Sequence, residues 1–307
     1  MKDTLSIISV VFREPAFWER NLRLTRRLNP QGGFHWFVVD NSETPALTQP
    51  PGTDVSRLDG VPVPASRDAE SRHHALGIGR ALARVKTRYV LILDHDFFIV
   101  MPEWVRMLTA HVRHHNLSFF GSRWHPRWFW QYRDFPSVHC LLIDLEKVAA
   151  ETLDFTPAIH SDRYWRFINK PRWFLPEFIQ SRLKATRIRD TGWRVRRDHV
   201  GANDLGIEIL PVVYQRPDTA GARFEQRFGR FMPDSWKLHP PGRQGFVADG
   251  FLAAAVHETA GCGWEEFFWN GQPFGFHLRR FGRSMMRDPI DGDFALLDKV
   301  IGHYADS

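Results

Sequence analysis

A chain of 307 residues with 43% hydrophobic and 25% charged side chains is globular material, long enough for one large α/β domain or two modest ones. No apolar run approaches the ~20 residues of a membrane span, and Cys140 and Cys262 stand too far apart for a ligand pair, so spanning, disulfide-framework and cysteine-metal classes are excluded. The net charge of +6, with 15 histidines left out of it, fits three kinds of partner: nucleic acid, an anionic membrane face or a phosphorylated small molecule.

Leu5–Phe12 (LSIISVVF) reads as a first strand rather than a leader, since its apolar part is short and runs into Arg13 and Glu14. Without an export signature the cytoplasm is the expected compartment. Pro15 suits a first helical turn, and Phe17–Leu28 continues the helix with Trp18, Leu22, Thr25 and Leu28 near one face. Gly32 and Gly33 end it. His35–Val39 is a second strand, closing at Asp40-Asn41-Ser42. Residues 43–66 form a long connection with one short strand near Val55–Leu58.

A second helix covers Ala69–Ala83 and holds Gly77 and Gly79, which suit close helix–sheet packing. Tyr89–Leu93 is the next strand, and Pro102 opens a helix to His115. Leu117–Gly121 and Ser137–Asp144 are strands, with a short helix from Leu145. Residues 161–200 are rich in Arg and Trp and helical in part. Ile207–Tyr214 is a strand in which Pro211 points to an edge or a bulge. Residues 218–248 read as loop, Gly250–His257 as helix, and Phe294–His303 as the C-terminal helix.

Alternating strands and helices predict an α/β fold with a mostly parallel, doubly wound sheet. Ligands of such sheets sit beyond the carboxyl ends of the strands, where Asp40 and Asp94 both fall. The segment RYVLILDHDFF is the sharpest signal. Tyr89 to Leu93 have no polar alternation, as in an interior strand covered on both faces. Side chains two apart share a face, so Asp94 and Asp96 point one way and His95 the other. Two adjacent anions need a cation, a shared proton or open water.

In this order the first half resembles the family 2 glycosyltransferases of the GT-A fold: LSIISVVF, a helix, FVVDNS, the glycine-containing helix ALGIGRALARVKT, then YVLILDHDF. The match covers residues 4–150 well and 150–215 loosely. It implies a GT-A domain over 1–215, with a nucleotide-binding half at 1–120 and an acceptor half at 121–215. An irregular or helical extension over 216–307 would then pack on the active site. The opening strand departs from the family, ending in Val11-Phe12-Arg13-Glu14 where a Pro-Thr-Tyr-Asn-like turn is usual. The usual Glu-Asp pair of the acceptor region is not visible.

The resemblance implies a nucleotide-diphosphate sugar as donor, with Mn2+ or Mg2+ held by Asp94 and Asp96, in keeping with the taste of these ions for carboxylate and phosphate oxygens. It places Asp40 at the nucleobase and Val11 and Arg13 near the nucleoside; an Asx turn is the structural alternative for Asp40. Ser71, His73 and His74 would face the donor from the start of their helix, or be ordinary first-turn residues. The family's third metal ligand is a histidine from the C-terminal side. His277 is chosen, with Arg279 and Arg280 as phosphate clamps and His239 and His257 as competitors. Asp190 is the candidate general base, against a helix N-cap role, with Asp162 in reserve.

The tracts at 122–135 and 165–174 suit an acceptor groove for a glycan, lipid or small-molecule hydroxyl, a peripheral contact with the inner membrane face, or a buried aromatic cluster. Nucleic acid is not expected, because the sheet pattern argues for the sugar. The activity implied is inverting transfer. A nucleotidyltransferase and a non-catalytic basic, aromatic binding protein are the competing readings.

Overall fold

A computed structural model describes residues 5–12, 15–42, 47, 52–62, 69–125, 131–158, 189–212, 227–231, 246–247, 249–256, 264–278 and 291–306. Its centre is a ladder of apolar strands. β1 (Leu5–Val11), β2 (Phe34–Asp40), β3 (Val55–Asp59) and β4 (Tyr89–Leu93) are mutually parallel in the order β3-β2-β1-β4. The missing polar alternation has a direct cause. Ile7, Val11, Leu91 and Leu93 enter one core, whereas Ile8, Val10, Val90 and Ile92 enter a second core on the other face.

Helices cover both faces. α1 (Pro15–Leu28) begins at its proline and buries Trp18, Leu22, Thr25 and Leu28, the face the pattern predicts. It shares the first core with α3 (Trp104–His114) and the apolar side of α6 (Asp291–Ala305). α2 (Ala69–Leu82) lies on the second core through Ala75, Ile78 and Ala81. Among the described residues no helix is long and apolar enough to cross a membrane.

The remaining strands widen the sheet with antiparallel pairs. β7 (Cys140–Asp144) runs antiparallel to both β4 and β6 (Phe119–Ser122), and β6 is parallel to β8 (Leu205–Pro211). β9 (Glu265–Trp269) joins β8, β10 (Gln272–His277) joins β9, and β5 (Phe97–Ile99) closes the row against β10. Residues 265–277 thus belong to the same sheet as the N-terminal strands.

Local chemistry explains where the elements differ from the pattern. α3 starts at Trp104, not Pro102, because Glu103 sits left-handed (φ 52°), and the Asn29 side chain takes the Val105 N–H at 3.0 Å. The short helix expected from Leu145 is absent over residues 145–158. Asp144 folds the chain into a turn, its carboxylate accepting the Glu146 N–H at 3.0 Å and its carbonyl the Val148 N–H at 3.0 Å, and only a single 3-10 turn follows at Ala150–Thr152. The register of β6 against β8 shifts between Phe120 and Ser122, while Pro211 pairs regularly with Phe267, so the irregularity lies before the proline. α4 (Trp193–His199) is a helical part of the Arg- and Trp-rich stretch, and α5 (Leu252–Ala255) lies inside the expected Gly250–His257 helix.

The two glycines of α2 differ. A Cβ on Gly77 would lie 2.8 Å from Val10 Cγ2, whereas one on Gly79 would meet nothing within 4 Å. Gly77 is therefore the close-packing position and Gly79 is not. Gly77→Ala should destabilise the protein by about 1–3 kcal/mol through overpacking. Gly79→Ala should stabilise it by up to about 1 kcal/mol through helix propensity. Paired urea titrations read both, and equal shifts of the same sign would refute the contrast.

Candidate active site

The parallel strands end together. Register pairs Val11 with Asp40 and aligns β1 with β4, so Val11, Asp40 and Asp94 reach one edge of the sheet. Asp94 leaves β4 with its N–H on the His139 carbonyl at 3.1 Å, and its own carbonyl takes the Phe97 N–H at 3.0 Å, closing a turn through His95 and Asp96. Buried Asn21 of α1 pins that turn, donating to the carbonyls of His95 (3.3 Å) and Phe97 (2.7 Å). β5 starts at once and pairs with β10 so that Phe97 faces His277, and Leu278 donates its N–H to the Asp96 carbonyl at 3.1 Å.

This pairing carries His277 across the sequence to the two aspartates. Its Nε2 lies 3.0 Å from Asp96 Oδ1 and 3.6 Å from Asp94 Oδ2. One ligand atom from each residue falls within 4.8 Å of the others, and among the described residues this is the group of such side chains close enough to share a cation. Cis ligands of an octahedral ion bound at about 2.1 Å stand about 3 Å apart, so the spacing fits. The two carboxylates suit Mn2+ or Mg2+ in chemical type, and the imidazole shifts the set toward a transition ion such as Mn2+. The imidazole is buried, while the aspartates keep 19% and 25% of their side-chain surface, so the group is open on the carboxylate side only.

Other histidines surround the group. His74 of α2 reaches Asp94 Oδ1 with Nε2 at 3.4 Å. His139, wholly buried, packs its ring 5.0 Å from the His277 ring and stacks on Phe97 at 5.6 Å, with Ser137 Oγ 2.8 Å from a ring nitrogen. Burial, and after it the charge of Asp94, push the neighbouring Cys140 thiol far above its ordinary value.

The other candidates are placed as follows. The Val11 side chain is fully buried in the first core, and its carbonyl accepts the Asn41 N–H at 2.8 Å. The Asp40 side chain is also fully buried. Its carboxylate accepts the N–H groups of Ser42 (3.1 Å) and Leu47 (2.9 Å) in an Asx turn, with Arg57 at 3.6 Å. Asn41 ties the same loop to α2 through the His73 carbonyl at 2.7 Å.

Asp190 does not cap α4; the cap position is Gly192, at φ 81° and without a side-chain bond. The Asp190 carboxylate accepts the Thr191 N–H at 2.8 Å and meets the Gln131 amide at 3.5 Å. Thr191 in turn donates to the Ser71 carbonyl at 3.1 Å. One helix, α2, therefore touches the Asp190 loop at Ser71 and Asp94 at His74, one turn on. Of the aromatic tract, Trp124 is buried and meets Tyr132 edge-on at 6.5 Å. Arg13, Asp162, His239, His257, Arg279, Arg280 and residues 126–130 and 165–174 lie outside the described residues.

His139 and Glu265 belong to the neighbourhood of the site and are not singled out by sequence. Asn270-Gly271, at φ 51° and 72° between β9 and β10, is a two-residue hairpin signal that would have revealed β9, but its regular register puts Glu265 opposite Phe276, and only the shift between Pro273 and Gly275 brings it opposite His277.

No family model matches the sequence, and no curated protein matches it. Solved structures do. The mannosyltransferase PcManGT from Pyrobaculum calidifontis, solved with GDP-Man and Mn2+, is 12% identical over 50% of this chain and 50% of its own, at a TM-score of 0.35. S. aureus TarS with UDP-GlcNAc is 13% identical over 51% of this chain and 49% of its own, at 0.36. The apo glycosyltransferase GlyE of Streptococcus pneumoniae TIGR4 is 12% identical over 80% of this chain and 57% of its own, at 0.36. The aligned part spans about half the length of the first two.

Proposed function

We propose that this protein is a metal-dependent glycosyltransferase, moving a sugar from a nucleoside-diphosphate donor to a hydroxyl acceptor with inversion. The observation that carries the reading is the convergence of Asp94, Asp96 and buried His277, with ligand atoms within 4.8 Å, at the carboxyl edge of a parallel strand block. These three residues would hold Mn2+ or Mg2+. When bound, such a cation supplies charge neutralisation for a departing diphosphate.

The protein's own groups do the rest. His74 sits against Asp94 and fixes the carboxylate from the α2 side. Asp40 acts through the loop it folds after β2, which the Val11 carbonyl ties to the end of β1 at the nucleoside position. Ser71 opens the helix on which the Asp190 loop rests. Asp190 takes the proton from the attacking hydroxyl, in line with the bond that breaks, and Gln131 steadies its Oδ2. The acceptor is a hydroxyl of a glycan, lipid or small molecule.

Calorimetric titration of UDP and GDP into the wild type, with and without Mn2+, tests the reading. Binding of one nucleotide that requires Mn2+ is expected, and it also selects the nucleobase. Binding that ignores Mn2+ and falls steeply with salt would favour the non-catalytic binding protein instead.

A further inference from the structure

The strand that delivers His277 carries a second feature. In the β9–β10 register Glu265 is the direct cross-strand partner of His277, so both side chains rise on the same face. Glu265 Oε2 lies 3.8 Å from His277 Nδ1, and both side chains are buried, at 0% and 1% exposure. Its neighbour Glu266 serves another purpose, accepting the N–H groups of Phe251 (2.6 Å) and Leu252 (3.2 Å) at the start of α5. Burying a carboxylate in an apolar sheet is costly unless a donor or cation repays it. The imidazole opposite Glu265 has one nitrogen facing the aspartates and the other facing this carboxylate.

We propose that Glu265 is a positioning residue: its carboxylate takes the Nδ1–H of His277 and holds the ring with Nε2 directed at Asp94 and Asp96. The inference rests on the metal reading of that group. The separation exceeds the roughly 2.9 Å of an N–H···O bond. It closes as the ring settles into a ligating position, in the carboxylate–histidine–metal arrangement that fixes the tautomer and raises ligand basicity. Ring packing supports the same pose, because Phe97 and His139 flank His277 with tilted rings at 5.6 and 5.0 Å.

The test is Mn2+ titration of the full chain, without nucleotide, on the wild type, Glu265→Gln, His277→Ala and the double variant. Glu265→Gln is expected to weaken Mn2+ about 10- to 100-fold, and to cause no further loss once His277 is alanine. A purely structural glutamate would lower the metal-free unfolding midpoint and leave the affinity of the folded protein intact. Equal Mn2+ affinity in Glu265→Gln, or additive losses in the cycle, overturns the proposal and leaves the metal site standing. No Mn2+ binding by the wild type overturns the site and the proposal together. Should Glu265→Gln fail to fold, proton and nitrogen-15 chemical shifts of the His277 ring in the Mg2+-saturated wild type decide. An Nδ1 proton shifted strongly downfield by its hydrogen bond to the carboxylate is expected, and an Nδ1 proton at its ordinary position refutes the role.

Discussion

Replacing Asp94 and Asp96 together with alanine should abolish the proposed Mn2+-dependent nucleotide binding and lower the proposed sugar transfer by at least about 10²–10³-fold, the cost of losing one strong electrostatic stabiliser of a charged transition state. The same change should not unfold the protein. Both carboxylates lie on one small turn whose backbone bonds, to the His139 carbonyl and the Asn21 amide, do not involve their side chains. Removing two adjacent anions also relieves their mutual repulsion.

The expected signature is therefore a stability difference that appears only with metal. Metal-free, the double variant melts close to the wild type, the relieved repulsion being set against the lost Asp96–His277 contact. At Mn2+ a hundredfold above its dissociation constant, the wild type gains about 2.7 kcal/mol and the variant gains nothing. Thermal unfolding with and without Mn2+ reads both quantities. A variant that still gains stability from Mn2+ would place the cation elsewhere.

Phe97→Ala should be the most damaging single change to the fold, at about 3–5 kcal/mol. Phe97 is fully buried at the end of the DHD turn, with its ring against Phe267 (5.1 Å), His139 (5.6 Å), His277 (5.6 Å) and Phe274 (6.4 Å). Truncation opens a cavity where β5 meets β10, so the loss is of packing and also of the wall that holds His277. Urea unfolding without metal measures the first effect, and Mn2+ titration of the folded fraction the second. A loss below 1 kcal/mol would mean that the hairpin collapses onto the space.

Sequence pattern carried the parallel block and half of the site. β4 announces itself because both faces are buried, which leaves an unbroken apolar run, and β1 and β2 are nearly as apolar, interrupted by Ser6, Ser9 and His35. Asp94 and Asp96 are conspicuous for the same reason, being charges at the end of such a run. His277 could be chosen but not placed, since the resemblance asks only for a distant histidine and the β5–β10 pairing brings it in. β9 was hidden by its own composition: Glu265 and Glu266 are two consecutive charges that read as surface, yet both are buried. β5 is three residues long, too short for any period to register. Asp40 lies at the expected strand end, but whether a terminal aspartate turns outward or folds its own loop depends on backbone N–H groups that sequence does not position.

The pairing of β5 with β10 also sets a timetable. Asp96 and His277 are separated by 181 positions. At the usual 5–20 residues per second of synthesis, roughly 10–40 s pass between the emergence of one and of the other. Over that interval the nascent chain presents β5 as an unpaired edge, short enough to invite little mispairing. The Asp94–Asp96–His277 group is then completed by the last strand of the sheet to be synthesised.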